Sequence, residues 1–192
     1  MKILAKRMIT NVQVMFDDQQ SINFKVDSEK RICAVYQNMR TIPRELTVNY
    51  LQGVEILDIS HNNLRDVSAL SAAAKLHTLI IDHNLLSSSK NFPRLYSLSV
   101  LWVNHNLISD LHDFIPGLAR RCPAIRHLSL MGNEACANAL TGASEQDQTR
   151  YRWLTKRYWT PLSTTCPTAH IALTDIRPPL TTEPQASRMS HH

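Results

Sequence analysis

With 192 residues, 43% of them hydrophobic and 19% charged, the chain is long enough to bury one core and too short for two, and it reads as a folded globular protein rather than a disordered one. Its formal charge of +5 is spread out: residues 1–50 carry 8 basic and 5 acidic side chains, residues 51–140 carry 7 and 7, and residues 141–192 carry 6 and 4. A nucleic-acid binder concentrates positive charge on the folded face that meets phosphate, so nucleic acid is not the expected partner.

The opening MKILAKRMITNVQVMF is interrupted by Lys6, Arg7, Thr10 and Asn11, which breaks the apolar centre a signal peptide needs. No apolar run in the chain approaches the roughly 18 to 20 residues of a membrane helix. Within residues 1–31, VQVMF and INFKV alternate as strands do and are expected to form an N-terminal cap. Cys33, Cys122, Cys136 and Cys166 are irregularly spaced with no CxxC pair. They read as free thiols in a reducing compartment, the cytoplasm or the nucleus.

From residue 32 to 143 the chain falls into rows. VEILDISHNNLRDV, LHTLIIDHNLL and LSVLWVNHNLISDL all fit LxxLxLxxNxL, with Asn62, Asn84 and Asn106 spaced by 22 residues, and IRHLSLMGN adds Asn133 after 27. A degenerate first row fills the same slots with Ile32, Val35, Gln37, Arg40 and Ile42. This period and consensus are those of the leucine-rich repeat. The expected fold is therefore an α/β leucine-rich-repeat solenoid of about four to five 22-residue repeats. It would have a parallel concave sheet, a strand-like N-terminal cap and a C-terminal helical cap.

Strand alternation sends Leu57 and Ile59 inward and Ile56, Asp58 and Ser60 outward. The asparagine that follows, at Asn62, Asn84, Asn106 and Asn133, has an amide that donates and accepts and so suits a turn whose backbone groups are buried. After the third full row, LHDFIPGLARRCPA reads as a helical turn or two broken at Pro116 and Pro123. Residues 144–159 start with a capping box, Ser144 with Asp147, and place Tyr151, Leu154 and Tyr158 at helical spacing, as a terminal cap helix would. Residues 160–192, rich in proline, serine and threonine, are expected to be a disordered tail.

YQNMRTIP, LDISHNNL, LSLMGNEACANAL and YRWLTKRYW resemble the leucine-rich melanocyte differentiation-associated protein family over about residues 36–159. The resemblance implies a non-enzymatic adaptor in pigment-cell differentiation and in the biogenesis of melanosomes or other lysosome-related organelles. It also implies a protein partner such as a small GTPase or a trafficking complex. After Trp159, TPLSTTCPTAHIALTD stands where the family has an LPxLxxLD strand.

The candidate binding surface is the concave face. By the alternation it comprises Ala34, Tyr36 and Asn38; Ile56, Asp58 and Ser60; Thr78, Ile80 and Asp82; Val100, Trp102 and Asn104; and His127, Ser129 and Met131. Trp102 beside Ile56, Ile80, Val100, Tyr36 and Met131 makes an apolar patch of the kind that marks an interface. The competing reading is that another segment of the chain covers it. Asp58 and Asp82 are candidates to meet a basic partner.

His61, His83 and His105 recur in one slot, yet no further His, Asp or Glu is placed to complete a metal shell, and no metal or cofactor is expected. No GxSxG, P-loop or HExxH occurs, and four glycines are few for a phosphate-cradling loop. Cys136 is read as buried rather than as a nucleophile partnered by His127. Arg150, Arg152, Lys156 and Arg157, with Trp153 and Trp159, form a basic cluster, read as a solvated helix face before an RNA or membrane contact. Two functions stay open: a protein-binding adaptor, and an RNA-associated or phosphatase-regulatory subunit.

Overall fold

The computed structural model describes residues 9–15, 21–136 and 163–165. Its strands form one eight-stranded sheet in chain order, β1 (Ile9–Met15), β2 (Ser21–Asp27), β3 (Arg31–Cys33), β4 (Ile56–Asp58), β5 (Thr78–Ile80), β6 (Val100–Trp102), β7 (His127–Ser129) and β8 (Ser163–Thr165). The first three strands run antiparallel to one another, and β3 through β8 run parallel.

The length of each connection decides the direction of the next strand. Only residues 28–30 separate β2 from β3, and a parallel return needs a crossover of about a dozen residues or more. The side chain of Asp27 shapes the reversal by accepting from the backbone N–H of Glu29 (2.9 Å) and of Arg31 (3.1 Å), and Lys30 takes a left-handed φ of 58°. From β3 to β6 each three-residue strand is followed by a long return on the other side of the sheet. These returns hold α1 (Arg44–Asn49), α2 (Leu111–Arg121) and short 3₁₀ turns at Leu51–Gly53, Ser68–Ala72 and Ser89–Asn91.

The expected solenoid with a parallel concave sheet and a C-terminal helical cap is thus corrected. The sheet is mixed and begins with an antiparallel meander, and the neighbour of β7 on its far side is a strand, β8, with Ser163 opposite His127. Among the described residues there are two α-helices, neither at that end. A repeat period counts residues between equivalent rows and carries no information about strand direction outside them. The predicted cap helix at 144–159 lies outside the described residues. Strand β8 falls within the stretch expected to be a disordered tail.

Two inward columns make the core: Ile32, Leu57, Leu79, Leu101 and Leu128 at the strand centres, and Ala34, Ile59, Ile81, Val103 and Leu130 two residues on, all buried. The returns lay Leu46, Leu51, Leu70, Phe92, Phe114 and Leu118 against them. Phe92 meets Phe114 edge-to-face at 6.0 Å. Where α2 crosses the turn at Ser89, a Cβ on Gly117 would come within 2.0 Å of Ser89 Oγ, so only glycine fits that approach.

Pro116 does not break α2 as its sequence suggested. The bond it forgoes is the one to the carbonyl of His112, in the first turns of a helix that Asp110 caps by accepting from His112 N–H at 2.7 Å. The helix stops instead at Arg121, because Cys122 precedes Pro123 and the α conformation is disfavoured there.

Candidate functional site

Just beyond each of the strands β4 to β7 an asparagine amide is buried between rows. Asn62 donates to the carbonyls of Ala34, Ile59 and Ser60 at 2.9–3.0 Å and accepts from the N–H groups of Gln37 and Met39, both at 3.0 Å. Asn84 donates to the carbonyls of Ile59, Ile81 and Asp82 and accepts from Leu64 N–H at 2.9 Å. Asn106 accepts from Leu86 N–H, and Asn133 accepts from Ile108 N–H while donating to the carbonyls of Val103 and Leu130. Each amide ties its own turn to the preceding row, which fixes how neighbouring strands sit.

The first row is out of phase with its sequence assignment. Ile32 stands opposite Leu57, an offset of 25 residues rather than 22, so Gln37 and not Arg40 occupies the amide slot. Gln37 donates to the carbonyl of Val35 at 2.8 Å, and its longer side chain reaches β2 to accept from Asn23 N–H at 2.6 Å. The longer gap before Asn133 shows in the sequence that row length varies, and the same allowance applied to the first row finds Gln37.

The phase also moves Tyr36. Ala34 is equivalent to Ile59 and fully buried, so it does not face outward. Tyr36 is equivalent to His61 and leaves the sheet-face patch for the turn beyond it. There Tyr36, His61, His83 and His105 all take left-handed φ values of 50–58°. Their rings stack at 4.2, 4.2 and 4.3 Å with interplanar angles of 19°, 12° and 11°. The column ends at Gly132, where a Cβ would come within 2.4 Å of the His105 ring. Desolvation, then the like charges of His105 and His61, hold the His83 imidazole below its ordinary value, against an opposing pull from Asp82. Rings stacked in parallel point their nitrogen lone pairs along separate planes rather than at one centre. Among the described residues no group of three His, Cys, Asp or Glu is placed to hold a metal ion.

The outward face carries Ile56, Ile80 and Val100, each half-buried, and Trp102, 45% exposed between the fully buried Leu101 and Val103. Ile80 lies directly beside Trp102 in the sheet register. Polar side chains on this face bind one another. Arg31 pairs with Asp58 at 3.6 Å, and Asp58 accepts from the Ser60 hydroxyl. Asp82 accepts from the backbone and side-chain N–H of Asn104 at 2.8 and 3.1 Å. The Asn104 oxygen in turn accepts from Ser129 Oγ at 2.6 Å and Met131 N–H at 2.8 Å. Asp58 and Asp82 are diagonal rather than direct neighbours: Asp58 stands opposite Ile80, and Asp82 lies two residues further along its row. Ser60 and Ser129, expected outward, are buried.

Burial raises the Cys122 thiol to about 11, far from a nucleophile's range, and Cys136 is also buried. Among the described residues no helix is long and apolar enough to cross a membrane. The basic cluster from Arg150 to Arg157 lies outside the described residues.

Rows of leucine-rich strands cross-linked by buried amides, presenting a half-apolar outer face, define a leucine-rich sheet protein. No protein-family model matches the chain. It is similar to the human Leucine-rich melanocyte differentiation-associated protein, with 41% identity over 93 residues, which are 47% of this chain and 47% of that protein. The chain thus spans about half the length of the curated relative it matches, and over that half it resembles the leucine-rich melanocyte differentiation-associated protein family.

Proposed function

We propose that the chain is a non-enzymatic adaptor that binds another protein through its outward sheet face, with Trp102 as the central anchor. What supports this reading is an aromatic side chain 45% exposed on a short strand whose flanking residues are locked in the core, with Ile80 beside it. Such a residue is rigid at its base and free at its tip, which is the property of an interface anchor. The melanocyte-differentiation name belongs to the human relative. That name supports a part in melanocyte differentiation, and our reading extends it to a cytoplasmic role in the biogenesis of melanosomes or other lysosome-related organelles, with a small GTPase or a trafficking complex as partner.

Affinity capture with the wild-type chain and with Trp102→Ala/Ile80→Ala, each with and without nuclease, tests the reading. Loss of an aromatic anchor costs about 2 kcal/mol, or roughly thirtyfold in affinity. The double variant should fold and lose its protein partner, and nuclease should make no difference. Equal capture by the folded double variant would place the interface elsewhere. Nuclease-sensitive capture would favour an RNA-associated subunit.

A further inference from the structure

We infer that the outer edge of β1 pairs with the same edge of a second copy of this chain, giving a two-fold dimer with one continuous sheet. Among the described residues, the one strand bonded to β1 is β2. An edge strand exposes a row of unpaired N–H and C=O groups, and proteins guard such edges with short strands, lysine, proline or bulges. Strand β1 has none of these guards. Its sequence, ITNVQVM, is seven residues long, contains no charge and no proline, and pairs residue for residue with β2 without a bulge.

The strand is also complementary to itself. Thr10, Val12 and Val14 lie on the core side, opposite Val26, Phe24 and Ile22, and both valines are only half-buried. Asn11, Gln13 and Met15 lie on the other side and are exposed. In an antiparallel pair centred on Val12, Val12 meets Val12 of the second copy and Thr10 meets Val14 of the second copy. On the opposite side, Asn11 meets Gln13 of the second copy. Val12 then meets valine, Val14 meets the methyl-bearing Thr10, and amides meet amides. Slipping the register by one residue turns the second copy's core side outward, and slipping by two leaves strand ends unpaired, so the pairing centred on Val12, which aligns all seven residues, is selected. With no charge on either strand, nothing repels, and the two-fold closes the assembly at two copies.

The test uses the full chain in sedimentation velocity from about 1 to 100 μM, the range where a moderate dimer dissociates. The wild type should sediment as a dimer at the upper end. Asn11→Glu/Gln13→Glu sets carboxylates opposite one another at both ends of the two-fold and should weaken dimerisation at least about tenfold. Within its own chain Asn11 faces Lys25 and Gln13 faces Asn23, so these substitutions do not oppose folding, which circular dichroism checks. Asn11→Glu/Gln13→Lys sets opposite charges across the same pairs and should restore the dimer. A wild type that stays monomeric throughout overturns the inference. So does equal dimerisation of wild type and both variants, which would locate the contact on another surface, or growth beyond two copies, which would mean pairing between opposite ends of the sheet.

Discussion

Replacing Asn84 with alanine removes four hydrogen bonds, yet the structure limits what that costs. The carbonyl of Ile59 keeps Asn62 as a donor, that of Ile81 keeps Asn106, and that of Asp82 keeps the N–H of His61. The group left without its partner is the buried N–H of Leu64. One orphaned buried donor costs about 1–3 kcal/mol, so Asn84→Ala should destabilise by about 2 kcal/mol rather than by the sum of four bonds. Asn62 supplies the contrast, because its oxygen serves two donors, Gln37 N–H and Met39 N–H. Asn62→Ala should therefore cost about twice as much. Asn84→Asp keeps an acceptor for Leu64 but turns a carboxylate toward three carbonyl oxygens, and it should be worse than alanine. Urea titrations followed by circular dichroism give these differences from the shift in midpoint at constant slope. An Asn84→Ala change below about 0.5 kcal/mol, or an Asn62→Ala variant milder than Asn84→Ala, would refute the assignment of these amides as cross-row ties.

Two further outcomes follow from the ring column and from the crossing of α2. His83 has a depressed folded-state value, so between that value and its ordinary 6.5 the unfolded chain binds more protons. Its contribution is present above about pH 6.5 and is lost as the pH falls through the folded value. His61 and His105 on either side oppose protonation, and Asp82 favours it. Melting temperatures measured down through this range should fall less steeply for His83→Asn, since asparagine tolerates the left-handed turn but does not titrate; an unchanged slope would exclude His83 as the source. Gly117→Ala should destabilise by about 1–3 kcal/mol through the clash with Ser89, and adding Ser89→Gly should recover part of the loss. A single variant as stable as wild type would mean that α2 can shift away from the turn.

The sequence by itself determined what depends on local alternation and spacing. A leucine or isoleucine two residues from the next, closed by an asparagine, can bury its apolar side only as a strand that turns inward and then folds back. Leu57, Ile59, Leu79 and Leu101 were legible as interior for that reason, and Trp102, between Leu101 and Val103, as outward. The tertiary structure decided what depends on where the rows meet. The three residues between β2 and β3 force an antiparallel start that no repeat period records. The first row is longer than the next two, so its phase is set by pairing with β4, which buries Ala34, places Tyr36 on the histidine column and gives the amide slot to Gln37. Pro116 stays within α2 because a capped helix packed on Ser89, Phe92 and the core outweighs one missing hydrogen bond. Spacing along the chain is a local property, whereas strand direction, phase and the survival of a helix that lacks one hydrogen bond depend on contacts between residues far apart in sequence.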